Sequence, residues 1–242
     1  MVTAGIEIDQ QNAARIAGWA GLLSLPFVLL PNFGVIERFI IRGDAVQSAR
    51  NIVAHQLLFR LSIASELLYA AGLLMVIAGY YVILAPIGRN LALIAATWRL
   101  IYGLMWIAIP LGLFEALRLL HGTPYLQVIG NDQLQAMARL ATAAGGDQYY
   151  LGLLFWSLSA TASGWLWVKS RFIPRGLAWF GVIAAAWCVL CTIIYISVPD
   201  FAHVVNLWWF DTPLALFEIA LSMWLIAKGL PGSREEYRPV RA

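Results

Sequence analysis

The amino-acid sequence predicts an all-α membrane protein, a bundle of about six transmembrane helices with one interfacial amphipathic helix, forming a single integral membrane domain over residues 1–242. Of the 242 residues, 61% are hydrophobic and only 12% are charged, whereas a soluble domain is about half apolar and about a quarter charged. Several apolar runs exceed the roughly 18 residues that indicate a membrane-spanning helix. Basic residues concentrate in some of the links between these runs, which is typical of a multi-pass topology.

The predicted spans follow from the apolar runs and from the residues that interrupt them. We expect the first span to kink at Pro26 and to stop at Pro31, because proline removes a backbone donor. The second and third spans should separate at the link 86–88, and the glycine pair at 145–146 should end the interfacial helix at about 131–144. The spans are expected at about residues 13–30, 56–84, 91–119, 149–168, 176–198 and 212–230.

The distribution of basic residues predicts the orientation. Lys169, Arg171 and Arg175 lie in one short link, on the same side as Arg89 and the basic C-terminal tail. By the positive-inside rule this side is cytoplasmic, and an even number of spans places both termini there. The small formal charge of +3 reflects this topology, so we predict no nucleic-acid partner.

Ionisable side chains inside the apolar runs are the candidate functional residues, since they are costly in hydrocarbon unless they face a partner or a wet cavity. Residues four, seven and eleven apart on a helix share one face. Three such stripes are predicted, in the second, third and sixth spans: His55, Ser62, Glu66 and Tyr69; Arg99, Trp106 and Pro110; and Asp211, Glu218 and Ser222.

Depth along the helices suggests how the stripes pair. A rise of about 1.5 Å per residue places Glu66 and Asp211 at similar depths, roughly 25 and 27 Å from the cytoplasmic boundary. Arg99 and Glu218 come out closer to mid-depth, where pairing relieves the cost of each charge. We therefore expect the three stripes to face one another, with Glu218 paired with Arg99 and with Glu66 close to Asp211.

The leading functional hypothesis is an intramembrane enzyme of the acid-initiated cyclase or isomerase type. Two carboxyls in a poorly solvated site compete for one proton, so one of them keeps it near neutral pH and can protonate an alkene or epoxide. Glu66 would be the acid and Asp211 its partner, acting on a lipophilic, isoprenoid-like substrate among membrane lipids. The expected substrate-binding residues are His55, Ser62, Tyr69, Arg99, Trp106, Trp208, Trp209 and Glu218.

Other interpretations of the same residues stay open. Glu66 can be a hydrogen-bonded structural carboxyl, and Asp211 can be the N-cap of the sixth span, with Pro213 at an early helical position. The whole protein can be a small-molecule transporter or lipid-binding protein with Arg99 and Glu218 on the path. It can also be a non-catalytic partner subunit whose stripes close on each other without a pocket.

The sequence predicts no metal site and no cofactor. Its three histidines and two cysteines have none of the spacings typical of metal ligands. Cys188 and Cys191 lie three residues apart within one predicted span, which is not a disulfide framework.

Several stretches resemble a bacterial family of multi-pass membrane proteins known only as a domain of unknown function. The resemblance covers most of the chain. It rests on residues 43–68, 86–100, 133–140, 168–181 and 224–232. Its signature is N-x-x-A-x-x-L-L-F-R followed by an acid six residues later, which here runs from Asn51 to Arg60 and ends at Glu66. The resemblance implies a bacterial inner-membrane location, and it supplies neither an activity nor catalytic residues.

A second similarity is to small integral-membrane terpene cyclases. These are compact helical bundles with an acid in an early span and another in the last. Glu66 and Asp211 match them by residue type and approximate position, without a local motif, so the similarity is at the level of the fold.

Overall fold

The computed structural model describes residues 8–121, 126, 128–198, 201 and 208–231. These residues form helices joined by short links, with no strand among them, so the all-α prediction is confirmed. By length and composition, five of the helices can cross a membrane. The first is α1 (Ile8–Leu29), which is continued by a π-helix (Leu30–Ile36) and by α2 (Glu37–Phe39). The other four are α4 (Gln56–Leu120), α5 (Asn131–Ser170), α6 (Arg175–Ser197) and α7 (Trp208–Ala227). A shorter helix, α3 (Ala45–Ala54), precedes α4.

The long helix α4 consists of two arms. Its backbone is helical except at Gly88, where φ is −173° and ψ is 85°, an extended conformation that interrupts the helix within the predicted link. Ring contacts show that the two arms run antiparallel. The guanidinium carbon of Arg99 lies 5.4 Å from the centre of the Tyr80 ring, and the ring centres of Tyr69 and Trp106 are 4.6 Å apart. The two arms contain the predicted second and third spans.

The chain groups into two compact units. The first unit takes residues 1–22, 72–102 and 153–242, and the second unit takes residues 23–71 and 103–152. Helices α6 and α7 belong to the first unit, whereas α1, α4 and α5 contribute segments to both.

Small residues allow close helix packing in the first unit. A Cβ atom at Gly18 would lie 2.8 Å from Ile226, and one at Gly79 would lie 2.7 Å from Ala17. Such contacts are typical of membrane helices, whose association relies on close backbone approach because lipid supplies no hydrophobic driving force. Glycine at these positions thus brings α1 against both α7 and α4.

The second unit is held by larger apolar side chains. One buried cluster unites the end of the first helix, α3 and both arms of α4: Val35, Phe39, Ile52, Phe59, Ile63, Leu113 and Leu117. A second cluster joins the end of α4 to the start of α5: Ala116, Leu119, Leu134 and Ala138.

Two predicted helix ends are wrong. The first helix does not stop at Pro31; it continues through the π-helix Leu30–Ile36 to Phe39. The helix predicted at about 131–144 is present, but the glycine pair at 145–146 does not end it, because α5 runs unbroken from Asn131 to Ser170. Its start packs into the cluster with Ala116, and this packing outweighs the roughly 1 kcal/mol that each glycine costs in a helix.

Candidate functional site

Glu66 is the centre of a polar group in the second unit. It lies on the first arm of α4 and is only 1% exposed. Its Oε1 atom accepts a hydrogen bond of 3.0 Å from Nδ2 of Asn32. Its Oε2 atom is buried and has no hydrogen-bond partner among the described residues. The carboxyl is therefore anchored through one oxygen only.

The π-helix explains why Asn32 reaches Glu66. Pro31 has no N–H, so it cannot donate to the carbonyl of Phe27 as an α-helix requires. Oγ of Ser65 donates to that carbonyl instead, at 2.9 Å. Nδ2 of Asn32 also donates to the carbonyl of Val28, at 2.8 Å. Side chains thus satisfy the carbonyls that the wider turn leaves unpaired, and π-turns of this kind are frequent at functional sites.

A group of aromatic rings lies in the same unit as Glu66. Tyr69 follows Glu66 by three residues, so both lie on one face of the helix. The Tyr69 ring is 4.6 Å from the ring of Trp106, and the latter is 5.8 Å from the ring of Tyr149. Tyr69 and Trp106, which belong to stripes predicted to face one another, are thus in contact. The contact between Trp106 and Tyr149 was not predicted.

The other two residues of the predicted Glu66 stripe behave differently. Ser62 is buried, and its hydroxyl donates to the carbonyl of Phe59 within its own helix, at 2.7 Å. His55 is the N-cap of α4, and its carbonyl accepts the hydrogen bond from the N–H of Phe59. It is an exposed residue at the junction of α3 and α4, and its role in binding substrate stays a prediction.

The predicted ion pair between Arg99 and Glu218 is confirmed in the first unit. Arg99 is only 2% exposed, and its Nη2 atom bonds Oε1 of Glu218. Nε1 of Trp156 donates to the same oxygen, at 2.9 Å. Tyr80 completes the group, with its ring facing the guanidinium. The carboxylate balances the buried cation, as burial of a charge requires.

Asp211 lies within the first turn of α7, two residues before Pro213. Because this helix begins at Trp208, Asp211 is not its N-cap, and that alternative is wrong. Asp211 belongs to the first unit, whereas Glu66 belongs to the second, so their proximity stays a prediction. The side chain of Trp209 is 67% exposed, and its carbonyl accepts a 2.7 Å hydrogen bond from Nε1 of Trp187. The side chain of Trp208 lies outside the described part of the structure.

The sequence analysis missed the roles of Asn32, Ser65 and Trp156. Asn32 and Ser65 carry recognisable signals, because each is a polar residue within an apolar segment and Asn32 directly follows a proline. Trp156 carries the signal of an indole placed deep in a span, whose N–H requires an acceptor. None of these signals shows which residue is the partner.

Comparison with known proteins gives one match. A family model described as Domain of unknown function (DUF4386) matches residues 16–229. No curated protein and no solved structure matches the chain.

Proposed function

The chain belongs to the DUF4386 family and is a helical protein of membrane type, and we propose that it is an intramembrane enzyme in which Glu66 donates a proton to a lipophilic substrate. The observation that supports this proposal is the half-anchored carboxyl: Glu66 is buried, its Oε1 atom is held by Asn32, and its Oε2 atom has no partner among the described residues. In a proton-transfer reaction, Oε2 is the atom that faces the substrate.

The anchoring of Glu66 suits a catalytic acid. Asn32 uses both hydrogens of its amide nitrogen, one towards Glu66 and one towards the carbonyl of Val28. The amide is therefore fixed, and through it the orientation of the carboxyl is fixed as well. A group held within a narrow range of positions transfers a proton more effectively than a mobile one.

The neighbouring rings favour an apolar substrate that becomes cationic. Protonation of an alkene leaves positive charge on carbon, and protonation of an epoxide oxygen does so when the C–O bond opens; aromatic faces attract such cations. Loss of a proton from a neighbouring carbon to the Glu66 carboxylate then forms a double bond and restores the acid. Tyr69, Trp106 and Tyr149 form a contiguous set of rings in the same unit as Glu66, and Tyr69 shares a helix face with it. We therefore propose an isoprenoid-like substrate that enters from the lipid phase and undergoes cyclisation or isomerisation, in a protein of the bacterial inner membrane with both termini in the cytoplasm.

The test is the substitution Glu66→Gln in protein reconstituted into vesicles. Glutamine keeps the size of the side chain and an oxygen that accepts from Asn32, but it has no acidic proton. We expect conversion of polyprenyl alkenes and epoxides to be lost while substrate still binds. Leu68→Ala is the control, because that side chain is exposed on the same helix arm. Full turnover by the glutamine variant would eliminate the acid role.

The same experiment addresses the second candidate, a lipid-binding protein without chemistry. The Asn32–Glu66 pair is a polar group within an apolar surrounding, and it can hydrogen-bond the head of a lipophilic molecule without transferring a proton. In that case the wild type binds polyprenyl compounds and releases them chemically unchanged. Glu66→Gln then alters only their dissociation constant.

A further inference from the structure

A narrow cleft lies beside the Arg99–Glu218 pair, within the first unit. Both arms of α4 and the second half of α5 line it, with Tyr80, Ala96, Arg99, Ser159 and Ser163 among the lining residues. Its cavity volume of about 10 Å³ leaves room for a water molecule.

One wall of the cleft offers hydrogen-bond donors. Arg99 is 2% exposed, and its guanidinium uses Nη2 for Glu218. Its Nε and Nη1 atoms are buried and make no hydrogen bond to any described protein group. Leaving buried donors of a charged group unsatisfied is costly, so these two atoms require an acceptor in or near the cleft.

Two serines of α5 that line the cleft offer acceptors. Oγ of Ser159 donates its proton to the carbonyl of Ala95, at 2.6 Å, and Oγ of Ser163 donates to the carbonyl of Ser159, at 2.9 Å. Because each hydroxyl has used its only proton, its oxygen can only accept a further hydrogen bond. A ligand in the cleft must therefore accept from Arg99 and donate to serine.

Charge decides which kind of ligand fits. The Arg99–Glu218 pair is neutral as a whole, so an anion would bring a charge without a counter-ion into an apolar bundle. A cation would be repelled by the guanidinium. We propose that the cleft is a binding site for a single water molecule, which accepts from Arg99 and donates to Ser159 or Ser163. It hydrates a charge that would otherwise be incompletely solvated within the span.

X-ray radiolysis footprinting of the purified full-length protein tests this site. Radiolysis converts a bound water into a hydroxyl radical, which oxidises the nearest aromatic ring even when bulk solvent does not reach it. Tyr80 lines the cleft, and Tyr102 is a matched control because it is buried to a similar degree, at 3% against 7% exposure. We expect Tyr80 to be oxidised several-fold faster than Tyr102. Equal and slow oxidation of both tyrosines in the wild type would overturn the proposal.

Two variants link the signal to the cleft. Ala96→Val fills the space with two methyl groups, and we expect it to lower the oxidation rate of Tyr80 to that of Tyr102. Ala78→Val, on the exposed surface of the same helix arm as Tyr80, is the control and should leave the rate unchanged. If Ala96→Val does not fold, the double variant Ser159→Ala with Ser163→Ala removes both acceptors and should lower the rate by itself. An unchanged Tyr80 rate in the folded cleft variant would also overturn the proposal.

Discussion

Removing the carboxylate of Glu218 should be among the most destabilising single changes in the protein. Glu218→Ala leaves Arg99, which is 2% exposed, without its counter-ion, and breaking a buried pair in this way costs about 3–5 kcal/mol. The side chain of Glu218 is itself 23% exposed, so solvent screens part of the attraction. We therefore expect the unpaired charge alone to lower the free energy of unfolding by about 3 kcal/mol, the lower end of that range.

The same change has a second cost that can be separated from the first. Trp156 loses the oxygen that accepts from its Nε1 atom, and a buried donor left unsatisfied costs about 1–3 kcal/mol. Glu218→Gln keeps an acceptor for the indole and removes only the charge. The alanine variant should therefore be less stable than the glutamine variant by about 1 kcal/mol or more.

Equilibrium unfolding in mixed micelles measures these differences, with tryptophan fluorescence as the signal. The decisive sample is the double variant Arg99→Met with Glu218→Leu, which removes both charges together. Replacing a whole buried pair by apolar residues of similar volume is often neutral or stabilising, so we expect it to recover most of the loss seen in Glu218→Ala. The reasoning is refuted if Glu218→Ala loses less than about 1 kcal/mol, or if the double variant is no more stable than the single one.

Three further predictions concern the packing around Glu66 and in the first unit. Asn32→Ala removes the partner of Glu66 and should lower the free energy of unfolding by about 1–3 kcal/mol in the same assay; no measurable change would contradict the anchoring role. Pro31→Ala restores the missing N–H, which can then donate to the carbonyl that Ser65 now satisfies. Ser65→Ala should therefore lower the free energy of unfolding by about 1 kcal/mol less in the Pro31→Ala background than in the wild type. A coupling energy of zero in this double-mutant cycle would contradict our account of the π-helix. Gly181→Ala would place a Cβ 2.5 Å from the ring of Phe217 and should lower the free energy of unfolding by about 1–3 kcal/mol. A melting temperature equal to that of the wild type would show that the ring can move aside.

Composition was sufficient to predict the membrane class, and the expected depths of the charged side chains along their spans were sufficient to predict one ion pair. The pairing of Arg99 with Glu218 was predictable because a charge within hydrocarbon requires a counter-charge at a similar depth, and few candidates exist in this chain. The contact of Tyr69 with Trp106 follows from the same hairpin of α4. In both cases a strong energetic requirement left little choice of partner.

The predictions that failed concern local signals that tertiary structure overrides. Pro31 does not end its helix, and Ser65 donates to the carbonyl of Phe27, whose α-helical donor the proline removes. The glycine pair at 145–146 is retained in a helix because packing against α4 stabilises the segment before it. Neither of these compensations is visible along the sequence, since each depends on residues brought together by the fold.

The most direct test of the central claim is whether the Glu66 carboxyl carries a reactive proton in the membrane. A hydrophobic carbodiimide such as dicyclohexylcarbodiimide modifies protonated carboxyls from the lipid phase, and peptide mass spectrometry identifies the modified residue. We expect modification at Glu66 and none at Glu218, whose carboxylate is bonded to Arg99 and Trp156. An unmodified Glu66, or modification of both glutamates to the same extent, would contradict the assignment of Glu66 as the acid.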